Sequence, residues 1–214
     1  MSAIWLELLI LQTIIGYSFV ITNASIGLYN IRDLNNMKGD ITFVKSHKWI
    51  GRIEIAFFYA ITAQCIAMVI QAGITKPFFY DVTNPVGLHS MIGGILAVAL
   101  VTPKAIIAIF NKDLIYKYGQ YFGPLGFIGW SLGHWTSLYD YYWNAIYRKP
   151  MGIGLIPSDF IFSAILPFLI GIAIFLFILV KRGKKGKEDR WSKHQIAFIL
   201  HGITFGYEKA AKDL

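Results

Sequence analysis

Charge is scarce in this chain: 15% of its 214 residues are Asp, Glu, Lys or Arg and 56% are hydrophobic, whereas a soluble domain carries about 25% charge. Such a chain cannot cover a soluble surface, so an integral membrane protein is expected. Cysteine is nearly absent. Cys65 stands alone in an apolar run, which excludes a disulfide or a thiolate metal cluster within the chain. The lack of Cys-x-x-Cys-His excludes covalently attached heme. There is no Gly-rich phosphate cradle, nucleophile triad, metalloprotease His-Glu pattern or carboxylate dyad, so flavin, nicotinamide and hydrolytic chemistry have nothing to rest on. Acidic residues are also few, 12 against 20 basic ones, giving a net charge of +8. The basic residues flank apolar runs, which is how membrane topology is encoded, so nucleic acid is not expected as a partner.

What the chain does have is apolar runs of spanning length. Five are expected to be transmembrane helices, at about 4–29, 49–72, 88–110, 122–142 and 160–180, forming an all-α polytopic bundle over residues 1–180. The first lacks a basic start and a cleavage site, so it reads as a retained helix rather than a signal peptide. Its Thr22-Asn23-Ala24-Ser25 patch reads as helix-packing contacts. Residues 31–48 read as a polar, basic loop. Asn84-Pro85 has the form of a cap and first helical residue for the third span. Gly129-x-x-x-Gly133 is a small-residue face for close helix packing, and Trp135 to Trp143 supplies an aromatic belt. Residues 181–214 form a basic tail in which 191–207 is apolar but too short to span, as expected of an interfacial helix.

Sixteen of the twenty Lys and Arg residues fall on one side of the expected spans. With five helices this places the amino terminus outside the cell membrane and the tail in the cytoplasm. Lys104, next to Pro103 near the cytoplasmic end of the third span, is expected to snorkel to the headgroups. Glu54 is expected to pair with Arg52 or Lys48 at the interface, with a proton-relay role or a quinone contact as the functional alternatives.

The residues that carry chemistry are the histidines. His89 opens the third span and His134 lies in the fourth; antiparallel neighbours would bring both imidazoles to the outer half. Two facing histidines in a helix bundle suit axial ligation of heme iron. His47-Lys48-Trp49-Ile50-Gly51 and His89-Ser90-Met91-Ile92-Gly93 share the pattern His-x-x-Ile-Gly. The glycine one turn below each histidine leaves room for a flat group or for close helix contact.

From Ser46 to Trp143 these motifs resemble the cytochrome b-561 type of transmembrane heme domain, and small prokaryotic membrane families related to it. The resemblance implies a four-helix heme-binding bundle with His89 and His134 as the heme-iron ligands, Gly93 on the heme face, and electron exchange with a quinol. A single heme b is expected. A second would need His47 and a tail histidine, His194 or His201. The expected function is therefore a b-type cytochrome serving as electron-transfer or anchor subunit of a respiratory complex, meeting lipid, other subunits and an extracytoplasmic redox protein. The alternative is a heme-free structural subunit of a respiratory or transport complex, with its glycine and aromatic faces packed against partners.

Overall fold

The computed structural model describes residues 3–35, 41–71, 83–110, 112–148 and 154–184. All but eight of them are helical and none is in a strand. The elements are α1 (Ala3–Asn35), α2 (Ile41–Gln71), α3 (Pro85–Leu88), a π-helical segment (His89–Leu96), α4 (Ala97–Phe110), α5 (Lys112–Arg148) and α6 (Phe160–Lys184). The expected tail helix, His194 and His201 lie outside the described residues, as do residues 72–82 and 149–153.

Among the described residues four stretches are long and apolar enough to cross a membrane: Trp5–Tyr29, Ser46–Met68, Pro85–Ile107 and Phe160–Lys181. The fifth expected span, 122–142, is helical throughout within α5 but does not reach that apolar composition. Its polar content faces inward. Ser131 bonds Tyr17, His134 stacks on Tyr17, and Gly126, Gly129 and Gly133 lie against α4 and the π-helical segment. The polar region 31–48 is also more helical than expected, because α1 continues to Asn35 and α2 already starts at Ile41.

α1 is the hub. Its apolar window is 61% buried against 17–22% for the other three, and it packs on α2, α5 and α6 while α4 packs on α5. One core cluster joins Tyr17, Val20 and Ile21 of α1 to Phe58, Ala97, Val101 and Trp130, and a second joins Ile10 and Ile14 to Leu138, Tyr141, Ile156 and Ala164. In lipid, apolar contact alone gives little driving force between helices, so close approach and interhelical hydrogen bonds decide the packing. Both are present. A Cβ on Gly129 would lie 2.9 Å from Val101 Cγ2 and 3.0 Å from the Ala97 carbonyl, and one on Gly171 would lie 2.7 Å from the Ser18 carbonyl. Thr22 Oγ1 bonds the Gly171 carbonyl at 3.0 Å, fastening α6 to α1.

The third apolar stretch starts as its sequence implies: Pro85 is the first helical residue and Asn84 Oδ1 accepts from the Val86 N–H at 3.0 Å. It then widens. The Ala97 N–H reaches back to the Ile92 carbonyl, five residues away, and the π-helical winding spans both His89 and the Gly93-Gly94 pair.

Candidate functional site: a buried charge pair

Near one end of the bundle, Glu54 on α2, Lys104 on α4 and Asn23 on α1 meet. Lys104 Nζ donates to Glu54 Oε1 at 2.5 Å, and Asn23 Nδ2 donates to Glu54 Oε2 at 3.0 Å. Glu54 is 2% exposed, whereas the Lys104 side chain keeps 22%. Glycines make the space. A Cβ on Gly51, one turn before Glu54, would lie 3.2 Å from Asn23 Nδ2, and one on Gly126 would lie 2.8 Å from Lys104 Cδ. The stem of the lysine therefore lies across a bare stretch of α5. His47, two turns before Glu54, donates from Nδ1 to the Asn23 carbonyl at 3.1 Å, with its ring edge against Gly27. Farther along the seam, Tyr59 donates to Thr102 Oγ1 at 3.0 Å, again joining α2 to α4.

This overturns two expectations. Glu54 does not pair with Arg52 or Lys48, and Lys104 does not snorkel. Arg52 is two residues from Glu54 and hence about 200° round the helix. It is exposed, and its guanidinium lies 5.3 Å from the centre of the Trp49 ring. Lys104 is instead drawn inward by a carboxylate that has no other salt-bridge partner among the described residues. Removing Lys104 would leave the buried carboxylate as an uncompensated charge in low dielectric.

The histidines expected as heme ligands are separated by α5. His89 Nδ1 lies 2.9 Å from Thr136 Oγ1. That hydroxyl spends its own proton on the Leu132 carbonyl at 2.6 Å, so His89 is the donor and its Nε2 carries the lone pair. His134 is 1% exposed and stacks on Tyr17 of α1, with ring centres 4.6 Å apart and planes at 24°. Neither of its ring nitrogens has a hydrogen-bond partner among the described residues. Thr136 and His134 are two residues apart, so the two imidazoles sit on nearly opposite faces of α5. Gly93 does not line an open plane either: a Cβ there would collide with Thr136 Oγ1 and lie 2.5 Å from His89 Nδ1. The Gly93 carbonyl comes within 3.8 Å of a Cβ built on Gly133, so α5 and the π-helical segment approach closely beside His89. The glycine below His89 serves close helix contact, one of the two uses its position allows. A heme held between His89 and His134 does not fit this arrangement.

A second polar centre closes the other end. Glu7 is 2% exposed and accepts from Tyr141 Oη, Gly154 N and Leu155 N, each at 3.3 Å. Tyr142 donates to the Pro157 carbonyl at 2.5 Å and bonds Ser163 at 2.7 Å. The aromatic residues at the end of α5 thus fasten the segment that leads into α6. The sequence held one signal for the Glu54–Lys104 pair. Glu54 follows Trp49 by five residues on a span entering from the basic side, and Lys104 precedes Phe110 by six on a span returning there, so the opposite charges have matching depth.

Comparison of the chain with family models, curated proteins and solved structures gives no match to any of them. Nothing beyond its own short motifs ties it to the b-561 family.

Proposed function

We propose that the chain is a heme-free integral-membrane subunit of a respiratory or transport assembly, with its functional centre at the Glu54–Lys104 pair rather than at a histidine pair. The observation that carries this reading is the opposition of His89 and His134 across α5. An ionisable pair inside a membrane bundle is costly to keep and is by default a site of function. In this reading α5 crosses the membrane as a fifth span beside the four more apolar ones, with the amino terminus outside and the basic tail in the cytoplasm. The glycine faces are used within the chain, on α4 and α1, so partner subunits meet the aliphatic and aromatic outer faces of α2, α4 and α6, which also contact lipid.

The test is optical. Protein purified from heme-supplied cells is expected to show no Soret band at stoichiometric strength, oxidised or reduced. A reducible band equal to one heme per chain, lost in both His89→Ala and His134→Ala, would overturn the proposal and restore the b-type cytochrome.

A further inference from the structure

We propose that Glu54 is a proton-exchange site within the membrane, alternating between a carboxylate paired with Lys104 and a neutral acid held by Asn23. The arrangement observed is that of the carboxylate, since each of its oxygens receives one donor, Lys104 Nζ on Oε1 and Asn23 Nδ2 on Oε2. The opposite end of the same amide is idle. Asn23 is 3% exposed, and its Oδ1 is buried with no hydrogen-bond partner among the described residues. An asparagine carries donors on one side and an acceptor on the other, and a half turn about its last torsion exchanges them. Turned that way, Oδ1 faces Glu54 and accepts from a protonated carboxyl. One side chain thus serves both protonation states with no movement of the backbone.

Lys104 supplies the other half. Its side chain alone in the pair retains a connection to the surface, 22% against 3% for Glu54, and at Gly126 α5 sets no side chain in the path of its stem. When Glu54 is neutral the ammonium loses its counter-charge, and its flexible stem lets it turn toward the headgroups. The step is a simple protonation. A proton from water forms an O–H bond on the carboxylate, Lys104 remains an ammonium, and the pair passes from net zero to one positive charge. Release returns the proton to water and re-forms the ion pair. The charged and titratable groups facing Glu54 are Lys104 from α4 and, through the Asn23 carbonyl, His47 of α2 itself; α1 presents Asn23 and α5 presents Gly126. This proposal rests on the heme-free reading centred on Glu54, but the titration of Glu54 and the heme content are read by different signals, and either can fail alone.

Infrared difference spectra of the full chain in lipid nanodiscs, with glutamate carboxyls carbon-13 labelled, test this directly. Acidification is expected to produce a labelled protonated-carboxyl band that persists in His47→Gln and is missing in Glu54→Gln. In Lys104→Met the midpoint should move up by about one to three pH units, because the cation that favours the carboxylate is gone. The chain has only four glutamates, so if Glu54→Gln does not fold, Glu7→Gln/Glu188→Gln/Glu208→Gln leaves Glu54 as the sole labelled carboxyl and gives the same reading. A labelled band unchanged in Glu54→Gln, no labelled carboxyl protonated on acidification, or an unmoved midpoint in Lys104→Met would overturn the proposal.

Discussion

Asn23 and His134 show how differently a buried polar side chain can sit in a membrane bundle. Asn23 gives its amide donor to Glu54 and its backbone carbonyl to His47, so it joins α1 to α2 twice within one residue. The His134 side chain makes no such bond: its ring is stacked on Tyr17 while both nitrogens stay unpaired among the described residues. An unsatisfied buried polar group costs about 1–3 kcal/mol, and phenylalanine keeps the stack without carrying that cost. His134→Phe is therefore expected to raise the melting temperature in detergent or nanodiscs by a few degrees. A fall instead would mean that the imidazole holds something phenylalanine cannot, and would favour a ligand role. Histidine positions were legible in the sequence, but facing was not, since a two-residue offset between Thr136 and His134 is enough to send the imidazoles to opposite sides of α5. For Glu54 and Lys104 the depth could be read and the pairing could not, because rotation about α2 decides which cation the carboxylate meets.

At the scale of the elements, hydropathy located the four apolar spans well because lipid demands about twenty apolar residues wherever a helix crosses. It located helix ends poorly. α1 runs past residue 29 and α2 begins before residue 49, since backbone hydrogen bonding continues beyond the hydrocarbon zone. The π-helical winding over His89–Leu96 has no signature in period or composition and could not be foreseen. Small-residue spacing was more telling: Gly129-x-x-x-Gly133 does lie where α5 approaches the helix carrying Ala97. Leucine at Gly129 would have to displace Val101 and the Ala97 carbonyl, whereas nothing lies within 4 Å of a Cβ at Gly123 on the same helix. Gly129→Leu should lower stability by about 1–3 kcal/mol in a denaturant titration, the usual cost of overpacking, and Gly123→Leu should change it little. Equal effects would show that α4 and α5 are not held by close approach.

Across the described residues, the two buried carboxylates stand near opposite ends of the bundle and apolar clusters lie between them. Glu7, Tyr141 and the 154–155 backbone close the end at which α1 begins; Asn23, Glu54 and Lys104 occupy the other. The second end is the basic one, for α1 leads into Arg32 and Lys38, α2 starts from Lys45 and Lys48, and α6 leads into Lys181 and Arg182. Basic residues in short loops resist transfer across the membrane, so this end should face the cytoplasm. Glu54 would then exchange its proton with cytoplasmic water, and the Glu7 end would face outward. Thr83, exposed just ahead of Pro85, is then expected outside, and Lys187, in the sequence six residues after Lys181, inside. Cysteine placed at residue 83 of a Cys65→Ala background is expected to react with an impermeant thiol reagent in intact cells, and cysteine at 187 only after the cells are opened. The reverse pattern would turn the bundle over and put the charge pair in contact with the outside, where the same titration would draw protons from the medium.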